Sequence, residues 1–179
     1  LRARSQEGFG LIELLMSMTI LNIGLLALVA AFQSGSLALQ RASKQSTAAA
    51  IADIQMERYR GYKYCGILFA SADVTTAQGN STYTGDTAYS AAQITPSNDP
   101  KCTGSTAPSD SKPLQTMTGP DGKRYRVDTY IVYDTVTAAR PLKRVTVVIR
   151  NANSLGATPY ARIASTFDAI YSDKIDATK

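Results

Sequence analysis

Residues 9–32 read FGLIELLMSMTILNIGLLALVAAF. Ser17, Thr19 and Asn22 are the polar breaks after Glu13, and no charged side chain occurs between Glu13 and Arg41, a gap of 27 residues. A bilayer's hydrocarbon core takes ~20 apolar residues in a helix, more than a buried globular helix ordinarily offers. The run therefore predicts a membrane-spanning segment. A cleaved secretory signal is the other reading, with an h-region of ~7–15 residues and a small-residue site imitated by Ala27–Ala31. Glu13 lies four residues into the apolar run that starts at Phe9. A carboxylate deep in a bilayer costs roughly 2.5–3.5 kcal/mol on insertion scales, which implies a partner. Its plainer reading is an acid snorkelling at the membrane interface.

Helix-compatible sequence continues past the apolar run. Ser36 to Arg60 contains neither Gly nor Pro, and Ala48, Ile51, Ile54 or Gln55, Arg58 and Tyr59 recur at spacings of three and four. Arg41, Lys44, Asp53 and Glu57 fall on the polar face. One helix from Phe9 to Arg60 would be about 78 Å long at ~1.5 Å per residue. Gly24 and Gly35 are its expected weak points, each costing ~1 kcal/mol relative to Ala.

After Gly61 the period changes. Seventeen of the 48 residues in 71–118 are Ser or Thr, which predicts loop and no helix of confident length. Alternation follows in three runs: Tyr125 to Tyr133, Val145 to Arg150, and Arg162 to Ala169. Gly119-Pro120-Asp121-Gly122 reads as a tight turn, Pro pre-setting φ and Gly accepting a positive φ, with a short strand Leu114–Thr118 before it. The expected fold class is α+β, one long N-terminal helix packed on a three- or four-stranded antiparallel sheet. The stripe of residues 48–59 covers one apolar face of that sheet.

The chain has no histidine and two cysteines. That composition excludes a Ser-His-Asp triad, a Cys-His dyad, and zinc sites built from His or from four Cys. With 44% hydrophobic and 18% charged residues the chain is of ordinary globular balance. The net charge of +5 and pI near 9.3 permit an anionic partner without requiring one. No enzyme chemistry, metal or cofactor is expected.

The segment Gly8-Phe9-Gly10-Leu11-Ile12-Glu13-Leu14-Leu15 resembles the type IV pilin signature. That signature is a short basic leader ending in Gly, then Phe, then a hydrophobic helix with Glu at its fifth position. The resemblance implies cleavage by a prepilin peptidase between Gly8 and Phe9 and N-methylation of Phe9. It also implies that Glu13 pairs with the terminal amine of a neighbouring subunit during assembly. Such a pairing would remove a lone charge from an apolar bundle and set the axial register. Small residues at Gly24, Ala27, Ala30, Ala31 and Ser34 would let helices approach closely. The stretch Ala49 to Arg60 and the strand Arg144 to Ile149 resemble minor pilins of the pilus-modification class. Two departures stand out: the first proline is Pro96, so no proline kinks the apolar half, and Gly10 occupies a position where Thr or Ser is commoner.

The implied organisation is a leader at 1–8, a transmembrane and assembly helix at 9–35, and its amphipathic half at 36–61. A head at 62–179 would follow, with a variable loop at 66–118 and a sheet at 114–171. The implied function is a structural subunit of a type IV pilus, held in the bacterial inner membrane with its head outside the cytoplasm and then assembled into an extracellular filament. Its partners would be other pilin subunits, the prepilin peptidase and the inner-membrane assembly platform. Orientation rests on the resemblance, because the leader nets +1 and residues 41–60 net +2, against the positive-inside trend. Two rival functions are a DNA-binding minor pilin of a competence or DNA-uptake pilus and a pseudopilin of a type II secretion system.

Outside the cytoplasm Cys65 and Cys102 are expected to be oxidised and paired, the alternative being two separate thiols. Lys123, Arg124, Arg126, Arg140, Lys143, Arg144 and Arg150, interleaved with Tyr125, Tyr130 and Tyr133, offer the DNA reading its surface. Basic residues on strand edges also resist sheet-to-sheet aggregation, the competing reading of the same side chains. Asn80-Ser81-Thr82 matches a glycosylation acceptor of a kind that arises by chance in Ser/Thr-rich loops. Ser109-Asp110-Ser111-Lys112 matches Ser-x-x-Lys without its companion motifs. Asp168, Asp173 and Asp176 read as a solvated tail.

Overall fold

The computed structural model describes residues 10–102, 104–135, 142–154 and 158–168. One helix, α1, runs from Leu11 to Arg60 without a break, so neither Gly24 nor Gly35 interrupts it. A Cβ at either glycine would meet nothing within 4 Å, and their cost is confined to propensity. The chain divides into two compact units at Ser43/Lys44, within α1. In the first unit every described residue is exposed, and the apolar window of the helix has a mean hydropathy of 2.2 with none of it buried. By length and composition the helix can cross a membrane.

In the second unit α1 is one-sided. Ala48, Ile51, Ala52, Gln55, Met56 and Tyr59 are buried. Of the two candidates for the middle of the stripe, Gln55 faces inward and Ile54 is 57% exposed. Ala52 and Met56 complete the inward face, which puts its centre one residue round from a line drawn through Ile54 and Arg58.

A short 3-10 turn at Tyr64–Gly66 follows, then α2 (Ser71–Gln78) and α3 (Ser81–Thr84). These two helices stand where the sequence predicts loop. They are short and hold to the sheet by tertiary contact, which a propensity reading does not register. Strands β1 (Leu114–Thr118), β2 (Arg124–Thr135), β3 (Leu142–Asn151) and β4 (Ala161–Asp168) form one antiparallel sheet in the order β1-β2-β3-β4. Residues 169–171, the expected end of the sheet, lie outside the described residues. The turn at 119–122 forms with Gly122 at φ 71° and its amide bonded to the Gly119 carbonyl at 3.0 Å. Gly119 has a different reason to be glycine: a Cβ there would lie 2.8 Å from both the Thr47 and the Tyr125 side chains. The turn is pressed onto α1.

The sheet is covered on both faces. Tyr125, Val127 and Ile131 of β2 and Val145, Val147 and Ile149 of β3 pack with the buried face of α1 and with Ile67, Leu68 and Phe69. The alternate residues Tyr130 and Val148 pack with Ala77 and Tyr83 from the α2–α3 segment. Tyr83 stacks on Tyr130 with centroids 4.4 Å apart, and the two hydroxyls bond back to the Thr129 and Tyr83 carbonyls. Because β1 is only 5 residues long, the upper edge of β2 is left without a strand. There the Ile94 amide donates to the Ile131 carbonyl at 3.0 Å, and the Ile131 amide donates to Gln93 Oε1 at 2.9 Å. A loop thus satisfies an edge that would otherwise recruit another chain.

At the helix–sheet interface the Gln55 amide, both atoms, and Thr129 Oγ1 are buried without a hydrogen-bond partner among the described residues. A buried polar group left unpaired costs ~1–3 kcal/mol. Gln55→Met, close to isosteric, is expected to raise stability by about 1 kcal/mol, read as a higher denaturant midpoint at unchanged slope for the full chain. A lower midpoint would mean that the amide is satisfied in solution.

Candidate functional site

Glu13 lies in the first turn of α1, where the exposed amides of the helix end favour a negative charge. Its backbone carbonyl accepts the Ser17 hydroxyl at 2.8 Å. Among the described residues its carboxylate has no ion-pair or hydrogen-bond partner. The neighbours Leu11, Ile12, Leu14 and Leu15 are all exposed. A bare carboxylate thus sits in a bare apolar helix. Gly8, Phe9 and the rest of the leader lie outside the described residues.

Cys65 and Cys102 are joined as a disulfide, with Cα atoms 5.3 Å apart and a sequence separation of 37. A loop of that size is worth about 4 kcal/mol in the chain-entropy account. Beside it lies a buried ion pair. Lys143 Nζ donates to Asp99 Oδ2 at 2.6 Å, to the Ile67 carbonyl at 3.0 Å and to the Tyr64 carbonyl at 3.1 Å. All three ammonium protons are used, and the Tyr64 ring lies 4.4 Å from Nζ. Both charged side chains are fully buried. Tyr133 donates its hydroxyl to Asp99 Oδ1 at 2.7 Å. Burial alone would push the Asp99 carboxyl up. The hydrogen bonds from Lys143 and Tyr133 and the ammonium charge outweigh it and hold the group below the usual carboxylate range. Burial pushes the Lys143 ammonium down against the pull of Asp99.

The candidate DNA surface is not assembled as one patch. Lys143 is in the core. Arg126 is buried, with Nε 2.6 Å from Asp128 Oδ1 and Nη2 2.9 Å from Asn80 Oδ1. Register sets Arg126 opposite Arg150, and Asp128 sits between them, its second oxygen 3.2 Å from Arg150 Nε. Asp86 accepts from Arg150 and, at 2.9 Å, from Arg162. Arg144 is at the other end of β3, paired with Asp134 at 2.8 Å, and Arg140 lies outside the described residues. Lys123 and Arg124 stay exposed. The alternation of β2 and β3 could be read from sequence. The sheet face opposite α1, also buried and satisfied by Asp86 and Asn80 from a loop, could not.

The remaining motifs are absorbed by structure. Asn80 caps α3, its side-chain oxygen accepting the Tyr83 amide at 3.1 Å. Ser111 is buried, donates to the Leu68 carbonyl at 2.8 Å and lies 3.3 Å from the Tyr59 hydroxyl. Asp168 ends β4, while Asp173 and Asp176 lie outside the described residues. Among the described residues no group of His, Cys, Asp and Glu could hold a metal ion.

Residues 3–29 match the model of the prokaryotic N-terminal methylation motif. The chain carries a type IV prepilin leader motif. With the apolar N-terminal helix and the four-stranded antiparallel sheet behind it, the architecture is type IV pilin-like, and the chain fits the type IV pilin and pseudopilin family. The motif supports a structural subunit that is anchored in a membrane, processed by prepilin peptidase and assembled with other pilin subunits. No curated protein and no solved structure matches the chain.

Removing one partner of a fully buried pair strands the other. Lys143→Met should destabilise the head by about 3–5 kcal/mol, measured by denaturant unfolding of the full chain with its disulfide intact. Lys143→Met with Asp99→Leu should recover much of that loss. The pH dependence has a definite sign: a depressed Asp99 carboxyl supplies stability above the ordinary carboxylate range that is lost as pH falls through its lower folded value. The stability gap between the wild type and Asp99→Asn should therefore close on acidification. A gap that does not change with pH would assign Asp99 no ionised role.

Proposed function

We propose that the chain is a minor pilin of a type IV pilus, held in the inner membrane as a single-pass protein with its head outside the cytoplasm before assembly. The observation that carries this reading is the Glu13 carboxylate, without a partner among the described residues, in the first turn of a helix whose apolar part is exposed, inside the segment 3–29 that matches the methylation motif. A lone carboxylate in hydrocarbon is costly. A neighbouring subunit's cleaved and methylated N-terminal amine is a cation of the right sign at the same depth of the bundle. Cleavage between Gly8 and Phe9 creates that amine, so processing and assembly are linked through one charge. The head then acts by packing, and no step in this function requires bond chemistry from the chain itself beyond serving as the peptidase's substrate.

The DNA-uptake reading has less to stand on, because three of its candidate cations, Arg126, Lys143 and Arg150, are engaged in buried ion pairs.

Two substitutions test the proposal. Gly8→Leu should block processing, since the family pattern has a small residue before Phe9, and mass spectrometry should recover an uncleaved chain. A mature N-terminus other than Phe9 in the wild type would overturn the reading. Glu13→Ala should leave membrane insertion intact. Its incorporation into sheared filaments should fall about tenfold or more, in line with the ~2–5 kcal/mol lost when one member of a desolvated charge pair is truncated. Undiminished incorporation would leave Glu13 an interfacial residue.

A further inference from the structure

Away from the apolar segment that carries the proposed assembly role, the second unit holds a cleft of about 430 Å³ whose walls come from four separate stretches of chain. Lys44 enters from α1, Lys123 and Arg124 from the turn and the start of β2, Asn151 and Asn153 from the end of β3, and Tyr160 from the approach to β4. Three cations separated by up to 80 positions in sequence therefore face one hollow. Neither Lys44 nor Arg124 has a carboxylate partner among the described residues. Lys123 has Asp121 at 3.9 Å, and that carboxylate also accepts the Tyr125 hydroxyl at 2.8 Å and the Lys123 amide at 3.2 Å. Three cations against one carboxylate leave the cleft with a surplus of positive charge.

The walls are fixed before any ligand arrives. The turn is seated on α1 through the Gly119–Thr47 approach, and the Gly119 amide closes it onto the Lys123 carbonyl at 2.9 Å. The Ala152 amide reaches the Arg124 carbonyl at 3.3 Å, tying the end of β3 to the start of β2. Asn151 Oδ1 accepts the Asn153 amide at 2.9 Å, and Asn151 Nδ2 lies 3.4 Å from the Tyr160 hydroxyl. The Tyr160 ring stands edge-on to Tyr125 with centroids 6.2 Å apart. The Asn151–Tyr160 wall is thus preorganised and adds little ordering cost on binding.

We propose that this cleft binds a sugar bearing an anionic group, a carboxylate or a phosphate. The Arg124 fork suits a planar or tetrahedral oxyanion bidentately, and Lys44 and Lys123 add point charge. The amide of Asn153 offers a donor and an acceptor together to a hydroxyl, whereas a fully ionised anion would use the donor alone. Tyr160 supplies apolar ring surface beside a polar tip, the combination that suits a sugar ring's C–H face. The volume lies at the small end of the ~300–1,000 Å³ typical of ligand pockets, room for one or two rings. A nucleic acid strand would instead ask for cations spaced along a track; of the strand-borne cations that would extend one, Arg126, Lys143 and Arg150 are buried and Arg144 is paired with Asp134.

The test uses the full chain in lauryldimethylamine oxide, a detergent with neither sugar nor phosphate. The probes are glucuronic acid, glucose 6-phosphate, glucose, inorganic phosphate and a short single-stranded DNA. Binding is measured by titration calorimetry, and location by hydrogen exchange of peptides spanning 119–125 and 149–154. The two anionic sugars should bind and protect both peptides, with glucose about tenfold weaker or more, the scale of one lost charge-assisted contact. Arg124→Gln and Lys44→Gln should each weaken anionic-sugar binding about tenfold, whereas Lys112→Gln, exposed and remote from the lining, should not. Asn153→Ala should weaken the sugars more than it weakens inorganic phosphate. These substitutions are at exposed or half-buried positions, so unchanged melting would confirm that the variants fold. Inorganic phosphate binding as tightly as glucose 6-phosphate would reduce the cleft to a simple anion contact and overturn the proposal. DNA binding more tightly than both sugars at the same peptides would replace it with a nucleic acid site. No protection by any probe would remove the site altogether.

Discussion

The contact between residues 48–59 of α1 and the inner face of the sheet decides what the rest of the molecule can be. A helix with no charge for 27 residues gives no instruction about which side should face a partner. Beyond Arg41 the same helix becomes directional, and burial of Ala48, Ile51, Ala52, Met56 and Tyr59 supplies one wall of the only large apolar cluster described. The division of the chain falls inside this helix, at Ser43/Lys44. The division therefore falls within one helix, and the change of character is encoded in side chains, not in a linker. Ala48 and Ala52, each 1% exposed or less, belong to the same economy: small residues let a helix lie close to a sheet whose inward positions are filled by Tyr and Val.

The outer face of the sheet solves a harder problem. Cross-strand register places Arg126 opposite Arg150, an arrangement that is destabilising when unpaired. Asp128 from the same face and Asp86 from the connecting loop absorb both charges, and the stacked pair Tyr83–Tyr130 closes the apolar part of that side. Because these partners arrive from residues 80–86, the Ser/Thr-rich stretch is a structural layer and not an appendage. Buried ion pairs of this kind are a weak source of stability but a sharp source of uniqueness, since any slip of register leaves a charge alone.

How much of this is legible in the residues follows from the range of the interactions. The uncharged run, the three- and four-residue spacing of the stripe, the strand alternation and the Gly-Pro-Asp-Gly turn are all local patterns, and α1, the strands and the Gly122 conformation follow from them. Gln55 against Ile54 is a one-residue rotation of the helix. Hydrophobicity favours Ile54, whereas geometry buries Gln55. Helices α2 and α3 were hidden because their residues favour loops and their reason for folding lies on the sheet. The fates of Arg126 and Lys143 were hidden for the same cause. A basic residue on a strand reads as surface until its carboxylate is placed beside it, supplied from 44 residues away for Lys143 and from two residues along the same strand face for Arg126. Lys44, Tyr160 and Asn153 converge only because a turn docks on a helix, which no spacing in the sequence announces.

The Lys143 ammonium has a consequence in time. It grips the carbonyls of Tyr64 and Ile67, on either side of Cys65, and the carboxylate of Asp99, three residues before Cys102. The two segments that the sulfur bridge joins are thus already held together by a bond that needs no oxidant. A chain that reaches an oxidising compartment with both thiols reduced carries them at high effective concentration as soon as the sheet forms. Oxidation then records a geometry instead of searching for one, and maturation of the head can proceed in the order of folding first and sealing second.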